Sequence, residues 1–585
     1  MIPRLRTGLP AILLVLASSP AAAQQVGGGT AGTVSVDPTA PTPEKKDPPP
    51  PEKVDPPPPE KKDPPPVDVG GTAGARALGT APPGMNTGNF MDTRLTWTFG
   101  DDDFLHRTGE LIPLSPTFSI GDRPQYRLFF DNLNSRFAGR ENLTHLVMYK
   151  KMPGFVENLT TEAAVVLRFD LGQMSQNSGN LNSALYDSGS YLRLFYKTGA
   201  EKVGLSAVFF PLDTDRFRLG YLYDISWGGT AASINQSIFP RIQGSSPGFK
   251  VQYDHKKFYV FGGMKTATIV QPEQVLTASG QNDVEVVRVG ETNFGALGGL
   301  GVDPTDNVRF DLGGGYFQQG KADLSDVRGR SIYTWGGSAR ALLHQNMPVP
   351  QSVDFQLYRN DPAAPMIMFR PEKYDPDQLA FSVGVEGALL RQHLKDFDVD
   401  GSLKDQSSVA GAVQGIVKAG YLRVSATGIY RNLPFVVRNV PGFIPFETLP
   451  KDANTDPELF GALAADYHIA AAHLTPQLGG GLQLPATFRS DFTIGGLPSS
   501  RTIVVRAQGD ESILPLNKAR SAIVQGRFNL RWDISEVVAA NLWVQVVRDN
   551  NGTLVVRDPV EGTASLRVFQ SPTRVGTGLA LQARF

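Results

Sequence analysis

Residues 573–585, at the end of the chain, read TRVGTGLALQARF. Apolar side chains occupy alternate positions there, at Leu579, Leu581 and Phe585. Polar side chains, Gln582 and Arg584, stand between them. A period of two is typical of a β-strand that has one apolar and one polar face. This stretch therefore predicts a strand with polar groups or water on one side and an apolar environment on the other.

The same period recurs upstream, and we predict an all-β fold for residues 89–585. It is clearest over residues 163–171, 217–227 and 528–534. Each segment has about ten residues, enough for a tilted strand to cross a bilayer. Strands of soluble proteins average only about five or six residues. Aromatic residues near the predicted strand ends suit membrane interfaces, namely Trp97, Phe99, Tyr223, Trp227, Phe258 and Trp532.

The composition excludes several other classes of protein. The 585 residues include no Cys, which removes disulfide frameworks, thiolate metal sites and Cys nucleophiles. Lys and Arg (56) nearly balance Asp and Glu (57), so the overall charge does not point to nucleic acid as a partner. Beyond the first 25 residues, no apolar run approaches the roughly 18–20 residues of a membrane helix.

The N-terminal residues predict export followed by an extended spacer. Arg4 and Arg6 precede the apolar stretch LPAILLVLA (Leu9–Ala17) and three alanines, so residues 1–23 are interpreted as a signal peptide. Residues 24–88 are predicted to be a disordered, Pro-rich periplasmic linker, in which a PEKxDPPP unit occurs three times over residues 43–66. Polyproline II is stiff and fully solvated, at about 3.1 Å per residue.

Two roles for this linker remain open. It is either an inert spacer or a tether to peptidoglycan or a periplasmic protein through residues 38–67. An extended chain of that length would reach about 90 Å, on the order of a periplasmic width.

Signal peptide, alternation and a terminal strand that ends in Phe585 together resemble the porin-like superfamily of Gram-negative outer-membrane β-barrels. The resemblance implies a transmembrane antiparallel β-barrel of about 16–22 strands, since only a closed barrel lets strands satisfy their backbone groups in lipid. It also implies that Leu579, Leu581 and Phe585 form the signal read by the barrel-assembly machinery. Outer-membrane lipid and lipopolysaccharide would surround the barrel. Whether the chain forms a homo-oligomer is left open by the sequence.

Short and long connections alternate along the chain, as they do in outer-membrane barrels. Short turns are predicted at residues 213–215, 254–257, 303–307, 418–420 and 533–536, on the periplasmic side. Long polar stretches are predicted as external loops, at residues 228–247, 266–292, 392–407, 431–457, 483–518 and 549–572. Residues 344–377 are rich in Pro and Asp and are interpreted as a long loop, a plug or broken edge strands.

Basic residues dominate the polar face of the clearest strands. The candidate lumen-lining residues are Arg168, Arg193, Arg216, Arg218, Arg309, Arg340, Arg423, Arg527 and Arg531. Rings of Arg and Lys favour anions in pores. We therefore expect a channel for passive diffusion of small hydrophilic solutes, with a mild preference for anions. In the alternative, many of these arginines pair with Asp across strands and set no net field.

One further motif bears on enzymatic function. Residues 244–248 (GSSPG) match a nucleophile elbow around Ser246, but no helical pattern follows and Pro247 interrupts it, so no enzyme is predicted. The rival to a channel is a structural barrel of an envelope-spanning complex, tethered through its Pro-rich arm. No nucleic-acid partner is expected.

Asp396, Asp398 and Asp400, followed by Gly401, resemble the start of a calcium-binding loop. Alternate carboxylates converge on the ion in such loops. The twelfth position is Ser407 rather than Glu, and Asp405 is the candidate substitute. The sequence thus offers a weak Ca²⁺ site in an external loop, with a solvated acidic loop as the alternative. No other cofactor is expected.

Overall fold

The computed structural model describes residues 91–101, 103–105, 143–170, 185–187, 190–199, 202–211, 218–228, 247–276, 284–322, 326–349, 374–437, 447–494, 496–505, 511–535, 538–557 and 565–584. The predictions for residues 1–88 lie outside these ranges. So do Arg216, the turn at residues 213–215, Ser246 and Phe585.

Strands make up most of the described chain. In chain order they are β1 (Met91–Asp101), β2 (Leu143–Pro153), β3 (Leu159–Asp170), β4 (Leu185–Asp187), β5 (Tyr191–Lys197), β6 (Gly204–Phe210), β7 (Gly248–Asp254), β8 (Phe258–Leu276), β9 (Val284–Thr305), β10 (Val308–Lys321), β11 (Ser331–Gln345), β12 (Ala380–Lys395), β13 (Leu403–Ala419), β14 (Leu422–Arg431), β15 (Asn454–Asp456), β16 (Glu458–Tyr467), β17 (Leu474–Leu484), β18 (Ala486–Ile494), β19 (Leu497–Val505), β20 (Glu511–Ile513), β21 (Ile523–Asp533), β22 (Val538–Asp549), β23 (Thr553–Arg557), β24 (Ser565–Phe569) and β25 (Thr573–Arg584).

One large antiparallel sheet closes on itself. It contains 19 strands, of which β4 pairs only with β3, and the other eighteen follow one another in a cycle. The first strand closes the cycle, because β1 pairs with β2 (Met91 opposite Met148) and with β25 (Arg94 opposite Arg584). The predicted fold class, an antiparallel β-barrel of about 16–22 strands, is confirmed.

The two faces of the barrel wall are the reverse of those in a soluble protein. In β12, the buried positions include Glu386 and Gln392, at 6% and 3% exposure. The alternating positions carry Val385 and Leu389, both 54% exposed. The wall therefore points polar groups inward and apolar groups outward, as a barrel with a polar interior and a lipid-facing surface does.

Most connections at one end of the barrel are short, and this end is termed the short-turn end. They span residues 154–158, 198–203, 255–257, 306–307, 420–421, 468–473 and 534–537, and β1 begins and β25 ends there too. The turns predicted around residues 254–257, 303–307, 418–420 and 533–536 are confirmed. The connection of residues 346–379 is the exception. The opposite end is termed the long-loop end.

The prediction of a strand over residues 217–227 is wrong. Residues 218–228 lie between β6 and β7 and form no strand, apart from an isolated bridge between Leu219 and Trp227. Tyr223–Ile225 form a single 3-10 turn. This segment, termed the inward segment (residues 218–228), lies inside the barrel. Tyr223 and Trp227 are therefore not part of an interface girdle.

Several predicted loops contain strands. β8 has 19 residues and β9 has 22, and together they occupy most of residues 266–292. β12 and β13 leave only residues 396–402 of the predicted loop at 392–407. Residues 483–518 contain β18, β19 and β20, which form a separate four-stranded sheet with β15, and residues 549–572 contain the β23–β24 pair. An antiparallel ladder continues in water with polar side chains on both faces, so polarity did not mark where these strands end.

Helical structure is sparse in the described residues. The helix α1 (Leu433–Val437) follows β14, and its Leu433 and Phe435 are almost completely buried. No helix of the described residues is long and apolar enough to cross a membrane.

Candidate functional site

The inward segment packs against the inner face of the barrel wall. Its Leu219, Ile225 and Trp227 are at most 3% exposed. They form one cluster with inward-facing side chains of β8 to β16 and of α1, namely Tyr259, Phe261, Leu297, Phe317, Leu390, Ile429, Phe435 and Phe460. Apolar packing thus holds the segment inside the barrel, where it occupies space that the wall alone would leave to water.

Glu386 on β12 fixes the backbone of the inward segment. Its Oε1 accepts a hydrogen bond from the N–H of Tyr221 (2.8 Å), and its Oε2 accepts one from the N–H of Leu222 (2.9 Å). A buried carboxylate that receives two N–H groups makes charge-assisted hydrogen bonds, which are stronger than neutral ones. The segment therefore has one defined position relative to β12.

Three more strands attach to the inward segment. The Trp227 Nε1–H donates to Ser338 Oγ on β11 (2.8 Å), and Lys265 Nζ on β8 donates to the carbonyl of Gly228 (2.6 Å). Arg431 Nη1 at the end of β14 donates to the carbonyl of Asp224 (3.2 Å). The last two bonds satisfy backbone carbonyls that the absence of a strand ladder leaves unpaired, and the first pairs a buried indole N–H.

Tyr221 lies at the centre of a group of charged and phenolic side chains. The Arg340 guanidinium lies 3.5 Å from the centroid of the Tyr221 ring. The Tyr221 hydroxyl lies 2.6 Å from the Tyr259 hydroxyl. Tyr259 in turn donates to Asp311 (2.8 Å). Tyr221 is outside the membrane-spanning strands, and burial, followed by the proximity of Tyr259 and Asp311, raises the pKa of its phenol well above the usual range. The phenol therefore stays neutral at physiological pH.

Two glycines permit the path of the inward segment. Gly220 has φ 117° and Gly228 has φ 95°, which L side chains rarely adopt. A Cβ at Gly228 would also lie 2.6 Å from the Phe317 ring, and one at Gly220 would lie 3.0 Å from the Oε1 of Glu386. Both positions therefore require glycine for backbone and for steric reasons.

Five of the nine arginines proposed as lumenal form ion pairs. The pairs are Arg193 with Glu162 (3.0 Å), Arg309 with Asp311 (3.0 Å), Arg340 with Asp311 (2.7 Å), Arg423 with Asp466 (2.6 Å) and Arg531 with Asp533 (2.7 Å). Each carboxylate compensates positive charge that would otherwise attract anions into the lumen.

The other four arginines have different surroundings. Arg218 belongs to the inward segment and donates to Oγ (3.0 Å) and the carbonyl (3.1 Å) of Ser226. Arg527 donates to Asn529 (2.8 Å) on the inner face of β21. Arg168 lies in β3, opposite His145 in the ladder. Arg216 is outside the described residues.

Sequence reasoning missed two buried lysines on the inner face. Lys250 on β7 and Lys265 on β8 are 4% and 2% exposed. Their ammonium groups lie 4.8 Å from the Phe261 ring and 5.0 Å from the Phe317 ring, respectively. The signal was present for Lys250, because it stands between Phe249 and Val251 in an alternating stretch.

The connection of residues 346–379 reaches the lumen wall at its end. The Tyr374 hydroxyl donates to the buried carboxylate of Asp466, and the Tyr374 ring stacks on His468 at 5.2 Å. β11 occupies residues 344 and 345 of the stretch predicted as a plug or loop, and residues 350–373 are outside the described residues. The described part is therefore a loop whose last residues contact the interior of the barrel.

Two of the three carboxylates of the candidate calcium loop, those of Asp396 and Asp398, have partners within the protein. Lys404 Nζ lies 3.7 Å from Asp396 Oδ1 and 3.7 Å from Asp398 Oδ2, and the N–H of Lys451 donates to Asp398. Asp405 bonds to His393 Nδ1 (2.7 Å) rather than to this loop. In the described part of the chain, no group of three or more His, Cys, Asp and Glu is placed to hold a metal ion. Calcium binding by Asp396, Asp398 and Asp400 stays a prediction.

The terminal strand completes the barrel. Leu579 and Leu581 of β25 lie opposite Phe99 and Trp97 of β1, respectively. Their role as an assembly signal, together with Phe585, stays a prediction.

Comparison with known proteins gives matches to solved structures alone. No protein-family model and no curated protein matches the chain. Among similar structures, OccAB3 of Acinetobacter baumannii is 10% identical, with 85% of this chain and 98% of that chain covered and a TM-score of 0.37. OccAB2 of the same species is 8% identical, with coverages of 85% and 97% and a TM-score of 0.39. The outer membrane protein opdK of Pseudomonas aeruginosa is 9% identical, with coverages of 85% and 98% and a TM-score of 0.37.

Proposed function

From the porin-like architecture of this barrel, we propose that the protein is an outer-membrane channel for passive diffusion of small hydrophilic solutes. The observation that carries the proposal is a closed eighteen-strand wall with polar groups inside and apolar groups outside. Barrels of about 16–18 strands are wide enough to leave an aqueous channel. The inward segment narrows this channel from one side.

Polar side chains on strands far along the wall from β8 to β14 support a polar path for solutes. On β17 and β21, Asn529 donates to Gln477 (2.7 Å), and Arg527 lies beside Asn529. On β3 and β5, the Glu162–Arg193 pair faces the lumen. Polar groups of both signs replace part of the hydration of a passing solute, which lowers the barrier to its passage.

A mild preference for anions is the finer part of the proposal. Arg527, Lys250 and Lys265 add to the basic residues of the inner wall. The ion pairs of Arg193, Arg340 and Arg423 with carboxylates keep the preference mild. The reversal potential of single channels in a salt gradient tests this preference. A reversal potential that indicates a preference for cations would contradict the proposed anion preference.

Swelling of liposomes that contain the refolded protein tests the channel itself. Uncharged sugars of increasing size should enter at rates that fall steeply with size, because the inward segment sets the width of the path. Liposomes that remain impermeable to the smallest sugar would refute the proposal. The proposed function includes no catalytic step.

The second candidate is a structural barrel tethered through residues 38–67, and the period-eight repeat favours it. β1 begins at the short-turn end, which supports a periplasmic location for the residues before it. Deletion of residues 38–67 should abolish co-sedimentation with peptidoglycan and leave sugar permeability unchanged. Co-sedimentation that persists after the deletion would contradict a tether to peptidoglycan through these residues.

A further inference from the structure

The last residues of the connection between β11 and β12 form a short segment at the inner edge of the short-turn end. This segment, termed the strap (residues 374–379), is fastened at both ends. At its start, the Tyr374 hydroxyl donates to the carboxylate of Asp466 on β16. At its end, the side-chain amide of Asn346 donates to the carbonyl of Leu379 (3.0 Å). The strap therefore has a defined position relative to the barrel wall.

The strap crosses the inner face of β13 and β14. Lys418, Arg423 and Asp466 lie opposite one another in the ladders of β13, β14 and β16, in a row that starts opposite Ala380 of β12. Asp466 is three strand steps from Ala380, which amounts to about 14 Å. The chain from Tyr374 to Ala380 reaches at most about 20 Å. The strap is therefore long enough to follow this row along the wall, and too short to cross the lumen.

The ring of Tyr374 covers part of the row. It stacks on the ring of His468 at 5.2 Å, with an angle of 2° between the planes. The Lys418 ammonium lies 5.8 Å from the centroid of the Tyr374 ring, a distance at which the ring attracts a cation. The other cation of the row, Arg423, is paired with Asp466. Both positive charges of the row are therefore covered or compensated where the strap lies.

The strap also carries acidic side chains of its own. Asp375 and Asp377 are exposed, and the N–H of Asp377 donates to Asp375 Oδ1 (3.1 Å). The N–H of Gln378 donates to the carbonyl of Asp375 (3.3 Å), which closes the turn that holds both carboxylates. Because the wall lies behind the strap, these carboxylates stand at the mouth of the lumen. Carboxylates in that position attract cations and repel anions.

We propose that Tyr374 is a positioning residue that sets the ion preference of the channel at its short-turn end. By fastening the strap, it covers Lys418 and holds Asp375 and Asp377 where ions enter or leave. The inference rests on the proposed function, a channel with a basic inner wall. The strap makes one end of that path acidic, and it thereby reduces the preference of the whole channel for anions.

Reversal potentials of single channels in a salt gradient measure this role. Tyr374→Ala removes the phenol and the ring that fasten the strap. The ratio of anion to cation permeability should then rise by about two- to threefold, the effect of two carboxylates on an ion within a Debye length. Tyr374→Phe keeps the stacked ring and should give a smaller rise. Asp375→Asn combined with Asp377→Asn leaves the strap in place and should shift the potential in the same direction.

Two controls match these changes. The Tyr421 ring lies 6.1 Å from that of His468 and is not part of the strap, so Tyr421→Ala is the control for the loss of an aromatic ring. Asp306→Asn combined with Glu157→Gln removes two exposed carboxylates from short turns at the same end. Both controls should keep the wild-type reversal potential. Equal shifts in the test and control variants would overturn the role of the strap.

The same recordings separate this inference from the proposed function. Wild-type channels that conduct, with a reversal potential that neither Tyr374→Ala nor the paired Asp→Asn changes alter, would overturn the role of Tyr374 alone. The paired Asp→Asn variant decides the matter where Tyr374→Ala does not reach the folded, heat-modifiable form. Absence of conductance in the wild-type protein would overturn the channel, and this inference with it.

Discussion

Removal of Glu386 should loosen the attachment of the inward segment to β12. The Glu386→Ala variant deletes the acceptor of two backbone hydrogen bonds, from Tyr221 and Leu222, at 2.8 and 2.9 Å. Two other bonds between the inward segment and the barrel wall remain, that of Trp227 to Ser338 and that of Lys265 to the carbonyl of Gly228. We therefore expect the segment to move about those remaining attachments rather than to leave the wall entirely.

The size of the effect follows from the two bonds. A hydrogen bond to a charged group contributes about 1.5–3 kcal/mol, so two contribute about 3–6 kcal/mol. Lumenal water can solvate the freed N–H groups, which favours the lower figure. About 3 kcal/mol corresponds to a shift of roughly 100-fold toward displaced positions of the segment. Glu386→Gln keeps one acceptor oxygen and should show an intermediate effect.

Single-channel recording measures the change directly. The Glu386→Ala channel should have a larger mean conductance and frequent switching between levels, because the constriction becomes mobile. Asp549→Asn is the control, since Asp549 is a buried carboxylate that accepts hydrogen bonds from Asn551, next to the end of β22. Identical conductance and noise in Glu386→Ala and wild type would refute the role given to Glu386.

The remaining predictions concern four other positions. Gly220→Ala forces a side chain into φ 117°, at a cost of about 1–3 kcal/mol, and should reproduce the noisy conductance of the Glu386 variant; quiet channels would contradict this. Arg527→Glu should move the reversal potential in a salt gradient toward cations, and an unchanged potential would remove Arg527 from the selective path. Lys404→Met removes the ammonium 3.7 Å from two aspartates, so Ca²⁺ affinity in a calorimetric titration should rise by about tenfold; no rise would dismiss the calcium loop. Deletion of Phe585 should lower the fraction of chains that reach the heat-modifiable, folded form in cells, and an unchanged fraction would exclude its role in assembly.

Alternation alone predicted the wall of the barrel where a strand crosses the bilayer. Residues 163–171 and 528–534 were assigned to strands, and β3 and β21 occupy those positions. There the chemistry is unambiguous, because lipid lies on one side and the polar interior on the other. The same reasoning failed where β8 ends and β9 begins, because it assigned residues 266–292 to an external loop and the two strands continue through most of them.

The inward segment was the larger error, and its physical cause is specific. Its alternating Leu219, Tyr221 and Trp227 look like a lipid-facing stripe, yet they contact the inner wall. An extended segment in the lumen also has one apolar contact face, so it produces the same period. Two signals in the sequence could have separated the cases: hydroxyl and indole N–H groups on the apolar parity, which require hydrogen-bond partners, and the glycines that begin and end the turn.

The partners of the lumenal arginines could not be read from the sequence. Arg340 pairs with Asp311 because the register of β10 and β11 places the two residues directly opposite each other, whereas Arg309 reaches Asp311 along the same strand. A shift of one residue would turn these side chains to the opposite face. The sequence predicted which residues face inward, but the register that neutralises them appeared only in the folded barrel.

The conductance of the refolded mature chain in a planar bilayer tests the central claim most directly. A sealed cylinder with a polar interior and one fixed constriction should insert as discrete, long-lived steps of uniform size. A bilayer that shows no steps, or a scatter of sizes without a dominant level, would contradict a water-filled lumen narrowed by residues 218–228.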